Sequence, residues 1–154
     1  MNAREAIRDL VAEYGHLIDE DRLEDWLGLF TEDCTYVVIA RENVEQKLPL
    51  PLLSCDNKRM LRDRVASYRE VNEYNLHSDR HVIGGVRFRD ESEGAWRIDA
   101  SYSLFQTDVE GATRLFLVGC YEMGGIFEAG QPRLKAVRVI VDTASIPTLL
   151  ATPI

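Results

Sequence analysis

Residues Arg22–Ile39, RLEDWLGLFTEDCTYVVI, decide the fold class. Leu23, Trp26, Leu27 and Phe30 recur at helical spacing, whereas Thr35 to Ile39 is an aromatic and β-branched run, so the apolar period changes from 3.6 to 2 across Thr31-Glu32-Asp33. A helix hands its apolar face to a strand here. Asp21 with Glu24 forms a capping pattern before Trp26, and the strand is expected over Thr35–Ala40.

Upstream, Ala3, Ile7, Leu10, Val11, Tyr14, Leu17 and Ile18 form an i, i+3, i+4, i+7 stripe, with Asn2 as cap and Glu5 as its reciprocal partner. Asp19-Glu20-Asp21 interrupts this first helix. Downstream, an irregular polar stretch to Lys47 precedes Leu48-Pro49-Leu50-Pro51, where the prolines exclude helix interior and central strand, so a long loop is expected. Asp56 is placed to cap a third helix reaching Glu70, with Met60, Leu61, Val65 and Tyr68 inward and Lys58, Arg59, Arg62, Arg64 and Arg69 mostly outward. Four long runs follow, Val82–Arg89, Ala95–Thr107, Thr113–Phe127 and Arg133–Asp142, joined by short turns as in an antiparallel meander. Gly84-Gly85, Gly119 and Gly124-Gly125 fall inside these runs, where glycine marks bulges or bends. This order predicts one α+β domain over residues 1–154, with N-terminal helices packed in the concave face of a curved, mainly antiparallel sheet.

Eighteen basic against 26 acidic residues give a net charge of −8, which disfavours nucleic acid and anionic membrane as partners. Charged residues interrupt the apolar pattern of residues 1–20, and no run of about 18 apolar residues occurs, so a cytoplasmic protein is expected. Cys34, Cys55 and Cys120 lie far apart and form no CxxC, which points to reduced thiols.

Few residues suggest chemistry. His77 and His81 have i, i+4 spacing with Asp79 between, but they enter a strand, where that spacing does not bring two rings to one metal, and the glutamate of HExxH is missing. His16 reads as an ordinary helix histidine. Asp99 and Tyr14 would make a carboxyl and phenol pair if they faced one pocket, yet Asp99 lies on the polar side of its strand and Tyr14 in an apolar stripe. GxSxG, P-loop and GxGxxG motifs are all missing.

The segments RLEDWLGLFTEDCTYVV, DRVASYRE, RHVIGGVRF and RLKAVRVIVDTASIPTLLATPI, in this order and spacing, resemble the small (β) subunit of bacterial aromatic-ring-hydroxylating dioxygenases, the Rieske non-haem iron oxygenases, with terephthalate-type and related aromatic-acid enzymes nearest. The resemblance implies a cone-shaped fold of the NTF2-like or cystatin-like type and a hexamer of three large (α) and three small subunits. It places the Rieske [2Fe–2S] cluster and mononuclear Fe(II) in the α subunit, fed by NADH through a reductase, and leaves the small subunit structural. None of the three cysteines has a histidine two or three residues on, so this chain lacks Rieske half-motifs. It also shows no credible 2-His-1-carboxylate triad. No catalytic, cofactor or metal residue is therefore assigned. The alternatives are a stand-alone cone-fold acid–base enzyme, an isomerase or dehydratase, and a small-ligand binding module.

Interface residues are expected in two places. One is the basic group Arg64, Arg69, Arg80 and His81, directed at the α subunit or another β subunit. The other is the tail over residues 143–154, where Ile146, Leu149, Leu150 and Ile154 carry no nearby charge and Pro147 and Pro153 oppose regular structure. Docking across a subunit boundary is the expectation for this tail; packing on its own subunit, closing the wide end of the cone, is the alternative.

Overall fold

The computed structural model describes residues 1–71, 76–143 and 153–154, with Val71 described by its backbone alone. Helix α1 (Ala3–Asp19) starts as the capping pattern predicts. The Asn2 side chain accepts from the Glu5 N–H at 2.9 Å, and the Glu5 carboxylate accepts from the Asn2 N–H at 3.0 Å. Its apolar stripe from Ile7 to Ile18 is buried.

Helix α2 (Leu23–Leu27) follows a tight reversal that corrects the predicted cap. Asp21 takes a left-handed conformation, φ 59°, and its carboxylate turns to Arg69, while Arg22 holds the cap position without a side-chain hydrogen bond. Strand β1 (Phe30–Ala40) begins five residues earlier than expected. Thr31-Glu32-Asp33 is not a turn: Phe30 already pairs with Leu134, and the register shifts before Thr35.

The expected long loop contains a short helix, α3 (Arg41–Glu45), and a short edge strand, β2 (Leu53–Cys55), paired antiparallel with Tyr36–Val38. Pro51 sits just outside that strand, where its missing N–H interrupts no ladder. Helix α4 (Lys58–Val71) is capped by Asn57, one residue later than predicted; its Oδ1 accepts from the Met60 N–H at 2.9 Å. Strands β3 (His77–Ser92), β4 (Ala95–Asp108), β5 (Thr113–Glu128) and β6 (Gln131–Val141) form the meander.

Among the described residues six strands make one sheet in the order β2-β1-β6-β5-β4-β3, antiparallel except for the parallel β1–β6 pair. Register shifts fall after Gly84 and between Gly124 and Gly125. Gly119 serves another purpose: a Cβ there would lie 1.9 Å from the Ile140 carbonyl oxygen, so its missing side chain permits close strand approach. The helices cover the inward face, α1 against β3 and β6 and α4 against β1. The inward row of β4, Trp96, Ile98, Ala100, Tyr102 and Leu104, is buried as its alternation predicts.

Trp26 holds the joint at Arg22–Ile39 together. Its fully buried ring meets Tyr14, Phe30 and Tyr36 edge-on, with centroids 5.7, 4.8 and 5.7 Å away. Each such aromatic pair contributes about 0.5–1.5 kcal/mol beyond area burial, so this joint is also a hub of the core.

Candidate functional site

Polar groups concentrate inside the sheet. Tyr14 from α1, Tyr36 from β1, Tyr102 from β4 and Tyr121 from β5 all point inward and are at most 3 % exposed. Tyr102 and Tyr121 stack with centroids 4.5 Å apart, and Tyr14 meets Tyr121 edge-on at 5.4 Å. Burial pushes the Tyr36 phenol up to about 12. Burial, followed by the neighbouring phenols, also raises Tyr14, Tyr102 and Tyr121.

Ile154 enters this cluster. The Tyr14 hydroxyl donates to its main-chain oxygen at 2.5 Å and the Tyr36 hydroxyl to the same oxygen at 3.0 Å, while the Ile154 N–H donates to the Tyr36 hydroxyl at 2.9 Å. By contrast, the hydroxyls of Tyr102 and Tyr121 have no hydrogen-bond partner among the described residues. Leaving a buried hydroxyl unpaired costs about 1–3 kcal/mol. Beside the tyrosines lies a buried dyad: His81 Nδ1 is 2.5 Å from an Asp19 carboxylate oxygen, and the His81 main-chain N–H donates to the other at 2.8 Å. His81 Nε2 is buried and has no partner among the described residues.

This geometry corrects two interface expectations. The His81 side chain is 1 % exposed, and Ile154 is likewise 1 % exposed, so both lie inside their own subunit rather than on a docking surface. Ile154 packs inside its own chain, against Tyr14 and Tyr36. Ile146, Leu149 and Leu150 lie outside the described residues. Arg69 is drawn into its own chain, gripping Asp21 at 2.6 Å and Glu24 at 2.9 Å. Arg64 and Arg80 are exposed and have no ion pair among the described residues.

The other candidates separate. His77 and His81 sit on β3 four residues apart, about 13 Å along a strand; His77 Nε2 lies 3.3 Å from Asp79, whereas His81 belongs to Asp19. His16 is exposed in the last turn of α1. Asp99 is on the outward face of the sheet, opposite Tyr14, and is held by Arg87 at 3.0 Å and Arg89 at 2.5 Å. Burial pushes the pKa of this carboxyl up, but the two guanidiniums outweigh that and leave it below its ordinary value. The expected carboxyl and phenol pairing of Asp99 with Tyr14 therefore does not exist. A shallow cavity of about 320 Å³ lies on this outward face, between Asp99, Arg89, Glu122 and Arg138.

All three cysteines are free thiols, and burial pushes Cys34 up to about 11 and raises Cys55 and Cys120. They are thiols rather than nucleophilic thiolates near neutrality. Among the described residues no three His, Cys, Asp or Glu side chains gather as a metal set. The donors present do not fit the cluster or the iron that the resemblance places in the large subunit, since the cysteines stand apart from the histidines and His81 is committed to Asp19. Among the described residues no helix is long and apolar enough to cross a membrane.

Residues 1–138 match the SnoaL-like domain. The chain is 42 % identical to the anthranilate 1,2-dioxygenase small subunit of Burkholderia cepacia over 91 % of its own length and 86 % of that protein's. The chain belongs to the SnoaL-like family, among the small (β) subunits of aromatic-ring dioxygenases. A second relative, subunit beta 2 of the terephthalate 1,2-dioxygenase terminal oxygenase component of Comamonas, is 29 % identical over 93 % of each chain. A crystal structure of the β subunit of an aromatic-ring-hydroxylating dioxygenase from Novosphingobium aromaticivorans superposes with a TM-score of 0.90 at 44 % identity, covering 99 % of this chain and 97 % of that one. For this SnoaL-like β subunit, both the fold and the family agree with the resemblance read from sequence.

The sequence reading missed Asp19, which it took as part of a helix interruption, and the convergence of four tyrosines. A signal for the latter exists: alternation places Tyr36, Tyr102 and Tyr121 inward, and an inward tyrosine carries a hydroxyl that needs a partner.

Proposed function

We propose that this chain is the non-catalytic structural β subunit of a dioxygenase that adds both atoms of O2 to the ring of an aromatic acid. In this reading the α subunit carries the Rieske cluster and the mononuclear iron, electrons come from NADH through a reductase, and three α and three β subunits assemble in the cytoplasm. The observation that carries it is identity of 42 % and 44 % with two small subunits over nearly the whole chain. The interior supports the same reading, because aromatic side chains and Ile154 fill the space in which a stand-alone cone-fold enzyme would work.

Arg64 on α4 and Arg80 on β3 are the proposed contacts, since both project from the surface without an ion pair among the described residues. Co-expression with an α subunit carrying paired Rieske half-motifs should yield one co-eluting complex, with iron in proportion to α and none in the β chain alone. Arg64→Glu with Arg80→Glu should weaken co-elution while the far-ultraviolet circular dichroism of the free chain stays unchanged. Stoichiometric iron in the isolated β chain would overturn the reading, and unchanged assembly of the double variant would remove these arginines from the interface.

A further inference from the structure

The stretch Leu48-Pro49-Leu50-Pro51-Leu52 runs over the surface into the short edge strand β2. All five residues are exposed, Leu48, Leu50 and Leu52 by 41, 60 and 43 %. A run of exposed apolar residues is disfavoured on a soluble surface unless it binds something. Yet this stretch is held in one shape. The Leu48 N–H donates to the Asn43 carbonyl oxygen at 2.8 Å, the Leu50 N–H to the Leu48 carbonyl oxygen at 2.9 Å and the Leu52 N–H to the Val38 carbonyl oxygen at 2.7 Å. Asn43 grips it a second time, its Nδ2 donating to the Leu50 carbonyl oxygen at 3.1 Å. Pro49 and Pro51 have no N–H and a fixed φ. Every main-chain donor of the arm is therefore used or missing, and a partner strand cannot extend the sheet through it. What the arm presents is a pinned strip of leucine and proline side chains.

We infer that Leu48–Leu52 is a preorganised docking arm that seats in an apolar, aromatic-lined groove of the large (α) subunit. The inference rests on the reading of this chain as a β subunit and names a segment by which it holds its partner. Proline-bearing extended segments dock in grooves lined by tyrosine and tryptophan, whose flat faces pack on proline rings and whose O–H and N–H groups donate to main-chain carbonyls. A second copy of this chain does not offer such a groove. Trp26 and Trp96 are buried, and so is every tyrosine among the described residues, Tyr14, Tyr36, Tyr68, Tyr102 and Tyr121. The groove therefore belongs to a different chain. Because the arm is already ordered by its own hydrogen bonds, docking it loses little conformational entropy. The flanking charges are of both signs, Arg41 and Lys47 against Glu42 and Glu45, so apolar contact rather than charge supplies the attraction.

The test titrates the full chain against an α subunit carrying paired Rieske half-motifs, by calorimetry at low and at high salt. Leu50→Asp should weaken binding at least tenfold at both, because an apolar contact is not screened as an arginine contact is. Asn43→Ala, which unpins the arm, should weaken it at least threefold, and Leu50→Met should stay within twofold of wild type. A synthetic peptide of residues 46–53 in excess should displace the wild-type chain, a measurement that needs no folded variant. Far-ultraviolet circular dichroism and sedimentation of the free chain should be unchanged by Leu50→Asp, whose side chain is exposed. Binding of Leu50→Asp as tight as wild type would overturn the inference and leave the β-subunit reading intact. So would a Leu50→Asp variant that breaks up an oligomer of the free chain while binding α normally, since the arm would then dock on a second copy. A wild-type chain that does not bind the α subunit at all would overturn the β-subunit reading, and the inference with it.

Discussion

Gly125 shows how one missing side chain shapes the sheet. A Cβ there would lie 2.0 Å from the Arg133 carbonyl oxygen and 2.4 Å from Trp96 Cζ2, so the glycine lets β6 and the Trp96 indole close over the same point. Neither neighbour yields cheaply, one being backbone and the other a fully packed ring. Gly125→Ala should therefore destabilise the fold by about 1–3 kcal/mol, read as a lower urea midpoint at unchanged slope. Gly84 sits at another register shift, with nothing within 4 Å of its missing Cβ. Gly84→Ala should be neutral or slightly stabilising, because alanine costs a strand less entropy than glycine by roughly 0.5–1 kcal/mol. Equal losses at the two positions would contradict this packing argument.

Helices α2 and α4 are joined by one guanidinium. Arg69 Nη1 donates to the Asp21 carboxylate at 2.6 Å, Nη2 to the Asp21 carbonyl oxygen at 2.8 Å, and Nε and Nη2 to the Glu24 carboxylate at 3.0 and 2.9 Å. The clamp also fixes the left-handed Asp21, which explains why that residue cannot cap α2. Both carboxylates are well exposed, so solvent screening limits the loss in Arg69→Ala to about 0.5–1 kcal/mol. Its pH dependence has a definite sign. Hydrogen bonds from Arg69 hold the Glu24 carboxyl below its ordinary value of 4.5. The stabilisation is complete above that value and is lost as pH falls through the lower folded one. The difference in urea midpoint between wild type and Arg69→Ala should accordingly shrink from about pH 5 to pH 3; a constant difference would assign the loss to packing of the arginine stem.

Among the described residues five tyrosines, Tyr14, Tyr36, Tyr68, Tyr102 and Tyr121, are buried in one core. The phenols of Tyr14, Tyr36, Tyr102 and Tyr121 are all raised, burial being the largest cause in each. Below the ordinary phenol value of 10 they are protonated whether the chain is folded or not, so they leave stability unchanged. Above it the unfolded chain loses protons that the folded chain keeps, and stability falls as pH rises. Absorbance at about 295 nm should then show Tyr14, Tyr36, Tyr102 and Tyr121 ionising together with the loss of near-ultraviolet circular dichroism, in one steep alkaline transition. Gradual ionisation of these four in the folded chain would mean that water reaches the interior.

Much of the architecture is legible along the chain, because a helix stripe, an alternating strand and a capping box are all encoded within a few residues. The Asn2 and Glu5 cap and the inward row of β4 stand in the structure as those patterns predict, whereas β1 already begins at Phe30, ahead of the change of period. Short elements carried too little pattern: α3 spans five residues and β2 three, and β2 exists only because β1 offers it an edge at Tyr36–Val38. The assembled chain alone decides the rest. The parallel pairing of β1 with β6, the His81 bond to Asp19 across 62 positions and the Arg69 bond to Asp21 across 48 join partners whose proximity no local period encodes. Ile154 is the extreme case, since a single apolar residue after Pro153 could cover a neighbour's surface or its own core. Two tyrosine hydroxyls brought together by α1 and β1 favour its own core, by offering its main-chain oxygen the hydrogen bonds that burial requires.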